Sequence, residues 1–292
     1  MDKLNHLFII PDGCRRWARR KYLAELYLKD KKEFLKALEN LPENAVKDIE
    51  KRIAIFVKTG KDIFYELARD QINRPIDYLD LNIEVPRKYL LDAYEKGGTV
   101  FDEMIRWVLK NNVTNTLTIY ALQRTNLNRP VDHIFATVKA QIERFKLWKK
   151  EKEYFKECTI KFVGDKNFFE TSENSNNEEV KKLFDEYAKR SIELEDNFSG
   201  EKLKIFALAP YDPEWEINQA IDNGKFNPKK LIVSDVDCVI RGANEKRISN
   251  ALPYQLRAAQ FVSVSVYFPD FTIETFENAL KFYIPKIRIS GN

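Results

Sequence analysis

The chain has 292 residues, of which 44% are hydrophobic and 13% aromatic, enough apolar material for the core of one large domain. Its 49 basic and 45 acidic residues leave a net charge of only +4, far from the clustered excess expected of a nucleic-acid-binding protein. Cys14, Cys158 and Cys238 lie far apart without CxxC spacing, which argues against a disulfide framework or a zinc site and favours a cytoplasmic location. No apolar stretch reaches the length of a membrane span, so we expect a soluble chain whose contact with membranes is at most peripheral.

Short apolar runs rich in β-branched residues predict the strands of a sheet. They are residues 7–10, 117–122, 160–163 and 203–208, followed by either 231–233 or 239–240. Longer segments with helical periodicity separate these runs, at residues 12–28, 99–110, 131–155, 178–195, 213–222 and 272–283. Helical connections between strands predict an α/β fold with a central, mostly parallel sheet flanked by helices.

Residues 29–94 depart from this alternation. Apolar positions recur at helical spacing in this stretch, at Ile49, Ile53, Phe56, Ile63 and Leu67. The pairs Arg74-Pro75 and Val85-Pro86 interrupt the pattern. We therefore expect an extra helical insertion at residues 29–94, within a single domain that spans residues 1–292.

Arginines follow several of the predicted strands. Open parallel sheets bind ligands beyond the carboxyl ends of their strands, so these positions are the first candidates for a site. Five arginines come there, at Arg15, Arg16, Arg124, Arg129 and Arg241. Guanidinium groups bind phosphate oxygens in a bidentate manner, so arginines gathered at one sheet edge predict an anion pocket.

The segment around Asp12 predicts a strand, a tight Asp-Gly turn and a helix start in succession. The free N–H groups of such a helix start favour a diphosphate, and a carboxylate beside it suits Mg²⁺. Alternatively, Asp12 merely caps the helix, a common role for aspartate at that position. A second cluster contains Arg241, Arg247 and Ser249, which could bind another diphosphate or could be solvated and paired with a neighbour such as Glu245.

Four stretches carry a resemblance to a known family. The stretch HLFIIPDGCRRWARR at residues 6–20 resembles the opening motif of the cis-prenyltransferases, which include undecaprenyl diphosphate synthase. LTIYALQRTNLNRP at 117–130 resembles the third motif of that family, and VGD at 163–165 its fourth. VDCVIRGANEKRISN at 236–250, followed by YFPDF at 267–271, resembles the last. Order and spacing agree apart from the insertion, so the chain is identified as a divergent member.

The resemblance implies condensation of isopentenyl diphosphate with an allylic prenyl diphosphate, Mg²⁺ as cofactor and a homodimer. It places the magnesium ligand at Asp12 and assigns catalytic roles to Asp12 and Asn126. Substrate-binding roles fall on Gly13, Cys14, Arg15, Arg16, Trp17, Arg129, Arg241, Arg247 and Ser249. Trp17 would line the wall of the allylic pocket, and the last three residues of that set would bind the isopentenyl head group.

The match fails at several strand ends. Cys14 and Arg15 replace an asparagine and a glycine of the first turn, and Gln260 replaces a second metal-binding glutamate. Further departures fall at Glu95, Gln123, Thr125, Leu127 and 212–214. Three hypotheses follow: a working transferase with a short or unusual product, a catalytically retired homologue that binds prenyl diphosphates or supports a partner subunit, and an unrelated α/β phosphohydrolase, for which we identify no base.

Overall fold

Six parallel strands form the central sheet of the computed structural model, which describes residues 3–65, 77–222 and 224–282. In chain order they are β1 (Leu4–Ile10), β2 (Thr114–Tyr120), β3 (Cys158–Val163), β4 (Leu203–Leu208), β7 (Cys238–Arg241) and β8 (Gln260–Ser263). A separate antiparallel pair consists of β5 (Ile221–Asp222) and β6 (Lys225–Phe226). The order across the sheet is β3-β4-β2-β1-β7-β8, and every pairing in it is parallel, which confirms the predicted α/β fold.

Strand β1 lies at the centre of the sheet because both of its faces are apolar. Leu7, Phe8 and Ile9 are fully buried, the pattern of a parallel strand covered on both sides. Ile9 pairs with Ile119 of β2 and with Ile240 of β7. This register brings the carboxyl ends of the three strands to the same edge of the sheet.

The helices are α1 (Cys14–Lys29), α2 (Lys31–Lys36), α3 (Glu43–Thr59), α4 (Arg87–Asn111), α5 (Val131–Lys150), α6 (Lys152–Phe155), α7 (Glu178–Asn197), α8 (Pro213–Gln219) and α9 (Ile273–Lys281). Apolar residues of α4, α5, α7 and α9 pack against one face of the sheet and form the largest core cluster. Strand residues on the other face pack against the connections that follow β4 and β7. Within the described ranges, none of these helices combines the length and apolarity needed to cross a membrane.

Most predicted elements are confirmed, with shifted ends. The predicted strand at 203–208 matches β4, and of the two candidates for the fifth strand 239–240 is correct and 231–233 is wrong. Strand β8 was not predicted. The predicted helix at 131–155 is interrupted at Glu151, and the one at 213–222 ends earlier than predicted, at Gln219. The predicted helix at 272–283 corresponds to α9, and residue 283 of that prediction lies outside the described ranges.

The predicted insertion contains helices α2 and α3, which pack against α1. Leu23 of α1, Phe34 of α2, and Ile49 and Ile53 of α3 are fully buried together. Leu67 and Arg74-Pro75, which the sequence pattern also singled out, lie outside the described residues. Helix α4 begins at Arg87, so the last part of the 29–94 stretch is continuous with the helix that follows it.

Candidate active site

A cavity of about 390 Å³ opens at the carboxyl ends of β1, β2 and β7. Ten of the predicted site residues line it: Asp12, Gly13, Cys14, Arg15, Arg16, Asn126, Arg129, Arg241, Arg247 and Ser249. Its mouth is polar, and its interior is lined by Phe101, Ile119, Phe145, Trp148 and Ile205. The structure therefore brings both predicted diphosphate clusters to one cavity with an apolar interior.

The turn between β1 and α1 depends on a glycine at residue 13. Gly13 has φ 92°, in the left-handed region that favours glycine. A Cβ atom at this position would lie 2.6 Å from Cδ1 of Tyr267, whose ring packs under the turn. This geometry places the first N–H groups of α1, which have no partner within the helix, beside the cavity.

The Asp12 carboxylate is held by two arginines. Its Oδ1 accepts hydrogen bonds from the Gly13 N–H (2.6 Å) and from Arg16 Nη2 (2.7 Å). Its Oδ2 accepts from Nη2 (2.7 Å) and Nε (3.2 Å) of Arg241. Burial alone would raise the pKa of Asp12, but the two guanidinium groups hold it below its ordinary value. The carboxylate is therefore ionised, and its bonds to Arg16 and Arg241 connect the two predicted diphosphate clusters.

The loop after β7 presents the second cluster. Arg241 Nη1 donates to Ser249 Oγ at 2.9 Å and also to the Arg247 carbonyl. Arg247 is exposed and pairs with Glu245 at 2.7 Å, so the predicted pairing does occur, at the edge of the cavity. Non-glycine residues with positive φ concentrate in this loop, at Ala243, Asn244, Ser249, Asn250 and Leu252. Strained backbone of this kind clusters at ligand-binding loops.

Arg15 and Arg129 add positive charge to the lining of the cavity. Neither forms an ion pair with a carboxylate in the part of the chain that the structure describes, and the Arg129 side chain bonds to Tyr94. Burial lowers the pKa of Arg129 below its ordinary value, and the nearby Arg15 adds to this effect. Two half-buried cations at one mouth favour binding of a polyvalent anion.

Trp17 lies outside the lining of this cavity, in contrast to its predicted place in the pocket wall. Its indole Nε1 donates to Asp270 Oδ1 at 2.7 Å, and the side chain belongs to the core cluster that contains Tyr89, Leu90 and Ala93 of α4. Lys96 lies over the ring at 5.0 Å. In this structure Trp17 joins α1 to the last motif and does not line the pocket.

The interior of the cavity is bounded by a buried polar cluster between α4 and α5. Arg144 donates to Asp102 and also, at 3.0 Å each, to the Glu95 carbonyl and Thr99 Oγ1. Asp102 accepts a further bond from Trp148 Nε1 at 2.6 Å. Burial raises the pKa of Asp102. Arg144 also lines an open groove on the outer side of the two helices, so it separates the cavity from that groove.

A prenyltransferase family model, described as undecaprenyl diphosphate synthase, matches residues 87–291, more than two thirds of the chain. The chain belongs to the cis-prenyltransferase family. The match begins where α4 begins, within the last part of the predicted 29–94 insertion, and covers the third, fourth and last motifs. The members of this family are prenyl-transferring enzymes.

Curated relatives of this cis-prenyltransferase are undecaprenyl diphosphate synthases. The enzyme of Methanopyrus kandleri, specific for geranylgeranyl diphosphate, is 26% identical over 66% of this chain and 74% of its own length. The farnesyl-diphosphate-specific enzyme of Buchnera aphidicola is 24% identical over 68% of this chain and 82% of its own. Lavandulyl diphosphate synthase from Lavandula x intermedia, solved with dimethylallyl diphosphate, has the same fold (TM-score 0.58, 18% identity, coverage 96% and 95%).

Asp12 fits a magnesium site only after a rearrangement. Mg²⁺ takes one or two carboxylates together with phosphate oxygens, but a carboxylate offers about four acceptor positions, and Asp12 already accepts four bonds. The described residues include no group of three or more histidine, cysteine or acidic side chains placed to hold a metal. Gln260 begins β8, opposite Cys238, and so lies at the amino-terminal ends of the strands, whereas Asp12 lies at their carboxyl ends. Within one chain it therefore lies roughly 16 Å away along the strand direction.

Three further side chains of this site were missed by sequence reasoning. Asp80 lies in the inserted stretch, Tyr94 precedes the third motif, and Arg144 lies in the middle of α5. For Arg144 a signal did exist, because its neighbours one helical turn away, Ala140, Leu147 and Trp148, are apolar. Asp80 and Tyr94 carry no such signal, since their place at the cavity depends on how the insertion folds.

Proposed function

We propose that this cis-prenyltransferase condenses isopentenyl diphosphate with a short allylic diphosphate and releases a short or unusual product. The supporting observation is the cavity itself, in which a mouth rich in arginine leads into an interior lined by aromatic and aliphatic side chains. A prenyl diphosphate has the same division, with an anionic head and an apolar tail. Such a site binds both parts and excludes water from the reacting carbon.

In the proposed reaction the C–O bond of the allylic diphosphate breaks as the isopentenyl double bond attacks its C1. A new C–C bond forms, and a proton then leaves C2 of the isopentenyl unit. Arg15, Arg16 and Arg129 would hold the allylic diphosphate as it takes up the electron pair. Asn126 would position the isopentenyl unit; because an amide does not take up a proton at neutral pH, we assign the proton to the departing diphosphate.

Magnesium would join the site together with the substrate. Diphosphate oxygens compete with Asp12 for the guanidinium group of Arg241. An Asp12 oxygen released in this way would supply the carboxylate that Mg²⁺ needs beside phosphate oxygens. The bound ion would add to the neutralisation of the leaving diphosphate.

The small interior supports a short product. At about 390 Å³ the cavity lies near the lower end of the range for ligand pockets, about 300–1,000 Å³, which favours short substrates and products. Arg144 closes the interior and is fixed by its bonds to Asp102 and to α4. A growing chain would therefore meet a charged, fixed wall.

A homologue that binds prenyl diphosphates without turnover is the second candidate. Asp12 favours this second candidate, because both of its carboxylate oxygens already accept hydrogen bonds from Gly13, Arg16 and Arg241. If these bonds persist in the complex, the site has no carboxylate left for the cofactor. Such a protein would bind substrate and would leave the chemistry to a partner subunit.

We also propose a homodimer, as the resemblance implies. Large apolar side chains remain exposed near the last motif, at Ile221, Phe226, Ile232 and Ile248. Their burial between two subunits would remove apolar surface from water. Sedimentation of the wild-type protein and of Ile232→Glu tests this, and an unchanged monomer in both would contradict it.

The first experiment would incubate the protein with labelled isopentenyl diphosphate and with dimethylallyl, geranyl, farnesyl or geranylgeranyl diphosphate, with and without Mg²⁺. We expect a prenyl product that depends on Mg²⁺ and is lost in Asp12→Ala. Calorimetry with the same ligands runs in parallel. Binding without any product would overturn the transferase and support the second candidate.

A further inference from the structure

A buried charged cluster connects the insertion to the last motif. Arg52 of α3 donates to Asp62 through Nε (2.6 Å) and Nη2 (2.7 Å) and to Asp77 through Nη1 (2.7 Å). The hydroxyl of Tyr267 accepts from Arg52 at 2.7 Å and donates to Asp77 at 2.5 Å. All four side chains are buried. Buried ion pairs of this kind are weak evidence for stability, because desolvation offsets much of their attraction.

The same cluster reaches the underside of the diphosphate turn. The ring of Tyr267 packs against Gly13, and the Arg16 guanidinium lies over that ring at 5.4 Å. Arg16 Nη1 is 3.6 Å from Asp77 Oδ2. This nitrogen is buried and has no hydrogen-bond partner among the described residues, so Asp77 is its counter-charge. Arg16 therefore bridges Asp77 below the turn and Asp12 in the cavity.

We propose that Asp77, fixed by Arg52 and Tyr267, is a positioning residue for the allylic diphosphate site and acts through Arg16. The inference rests on the proposed function, because it assigns Arg16 to the substrate diphosphate. Asp77 holds one end of the guanidinium so that the other end stays at Asp12. The insertion is thus a working part of the site.

The sign of the effect separates positioning from simple electrostatics. Removal of the Asp77 charge takes a negative group away from a site that binds an anion, so Coulomb attraction alone would tighten binding. Loss of positioning would weaken it, because Arg16 would no longer be held toward the turn. A merely structural role would lower thermal stability and leave the affinity of the folded protein unchanged.

The test measures the affinity for dimethylallyl diphosphate by calorimetry in Asp77→Asn, which keeps the shape of the side chain. We expect a 10-fold or greater loss of affinity in Asp77→Asn. When Asp77→Asn is introduced into the Arg16→Ala variant, we expect no loss beyond that of Arg16→Ala alone. Asp92→Asn is the matched control, since Asp92 pairs with Lys21 of the same helix α1 at 2.7 Å but on the surface. It should change affinity less than 2-fold.

Other outcomes overturn the proposal. Unchanged or tighter binding by folded Asp77→Asn would exclude positioning. A loss that adds to that of Arg16→Ala would show that Asp77 does not act through Arg16. Tyr267→Phe, which keeps the ring under Gly13 but removes the hydroxyl bond to Asp77, provides a second variant, and unchanged affinity in it would also contradict the proposal. If the wild-type protein binds no prenyl diphosphate, the proposed function fails and this inference fails with it.

Discussion

Replacement of Asp12 by asparagine should destabilise the protein as well as inactivate it. Asp12 is the carboxylate that Arg16 and Arg241 share, and both guanidinium groups are buried. Asparagine keeps the shape and one acceptor oxygen but removes the counter-charge. Breaking a buried pair in this way costs about 3 kcal/mol, which lowers the melting temperature by about 5 °C in a chain of this size.

The assay is thermal or chemical unfolding of Asp12→Asn beside the wild type. Asp92→Asn again provides the control, because its ion pair is exposed and should contribute less than about 1 kcal/mol. The pKa of Asp12 in the folded protein is lowered. The contribution of its charge to the free energy of unfolding is therefore fully present above the ordinary pKa of 3.8 and is lost as the pH falls through the lower folded-state pKa. An Asp12→Asn protein that melts within 1 °C of the wild type at pH 7 would refute this reasoning.

Three further predictions follow from single contacts. Gly13→Ala should lower the free energy of unfolding by more than about 2 kcal/mol and abolish diphosphate binding. Gly60→Ala is the control in chemical unfolding: Gly60 also has positive φ (69°) but has open space around it, so this variant shows the cost of the backbone conformation alone. Arg144→Leu combined with Asp102→Asn should open the cavity and lengthen the products seen by mass spectrometry, and an unchanged product length would contradict its role as the wall. Burial lowers the pKa of His6 to about 4, so His6 alone should reduce stability by about 3 kcal/mol between pH 6.5 and 4, and His6→Asn should reduce the slope in urea titrations by that amount; the slope due to His133, whose pKa burial also lowers to about 4, should remain.

The sequence was most informative where function depends on short-range spacing. Asp12 and Gly13 follow a buried strand directly, and any parallel sheet places such a turn at its carboxyl edge. Arg241, Arg247 and Ser249 lie within nine residues of one another, so one loop suffices to bring them together. Because local geometry and the strand order decide the positions of these residues, the sequence was sufficient to predict that they lie together at one site.

Partners that are distant in the sequence could not be predicted. Trp17 was assigned to the pocket wall by its place in the motif, but its indole bonds to Asp270, 253 residues away. Strand β8 was missed because Gln260–Ser263 is short and half-buried, and its place in the sheet depends on its pairing with β7. In both cases the deciding contact comes from another part of the chain, which local patterns do not encode.

The arginines of α1 show why a motif does not reveal the work of each of its residues. Arg15 and Arg16 line the cavity, whereas Arg19 and Arg20, one turn further along α1, bond to the insertion and to the last motif. Arg19 donates to two backbone carbonyls of the inserted stretch, and Arg20 pairs with Asp62 at 3.0 Å. Removal of the insertion would take away both carbonyl partners of Arg19 and the Asp62 partner of Arg20, leaving Arg20 with Asp270. The opening motif and the insertion therefore form one electrostatic unit, and a chain from which α2 and α3 are removed should not rebuild the diphosphate site.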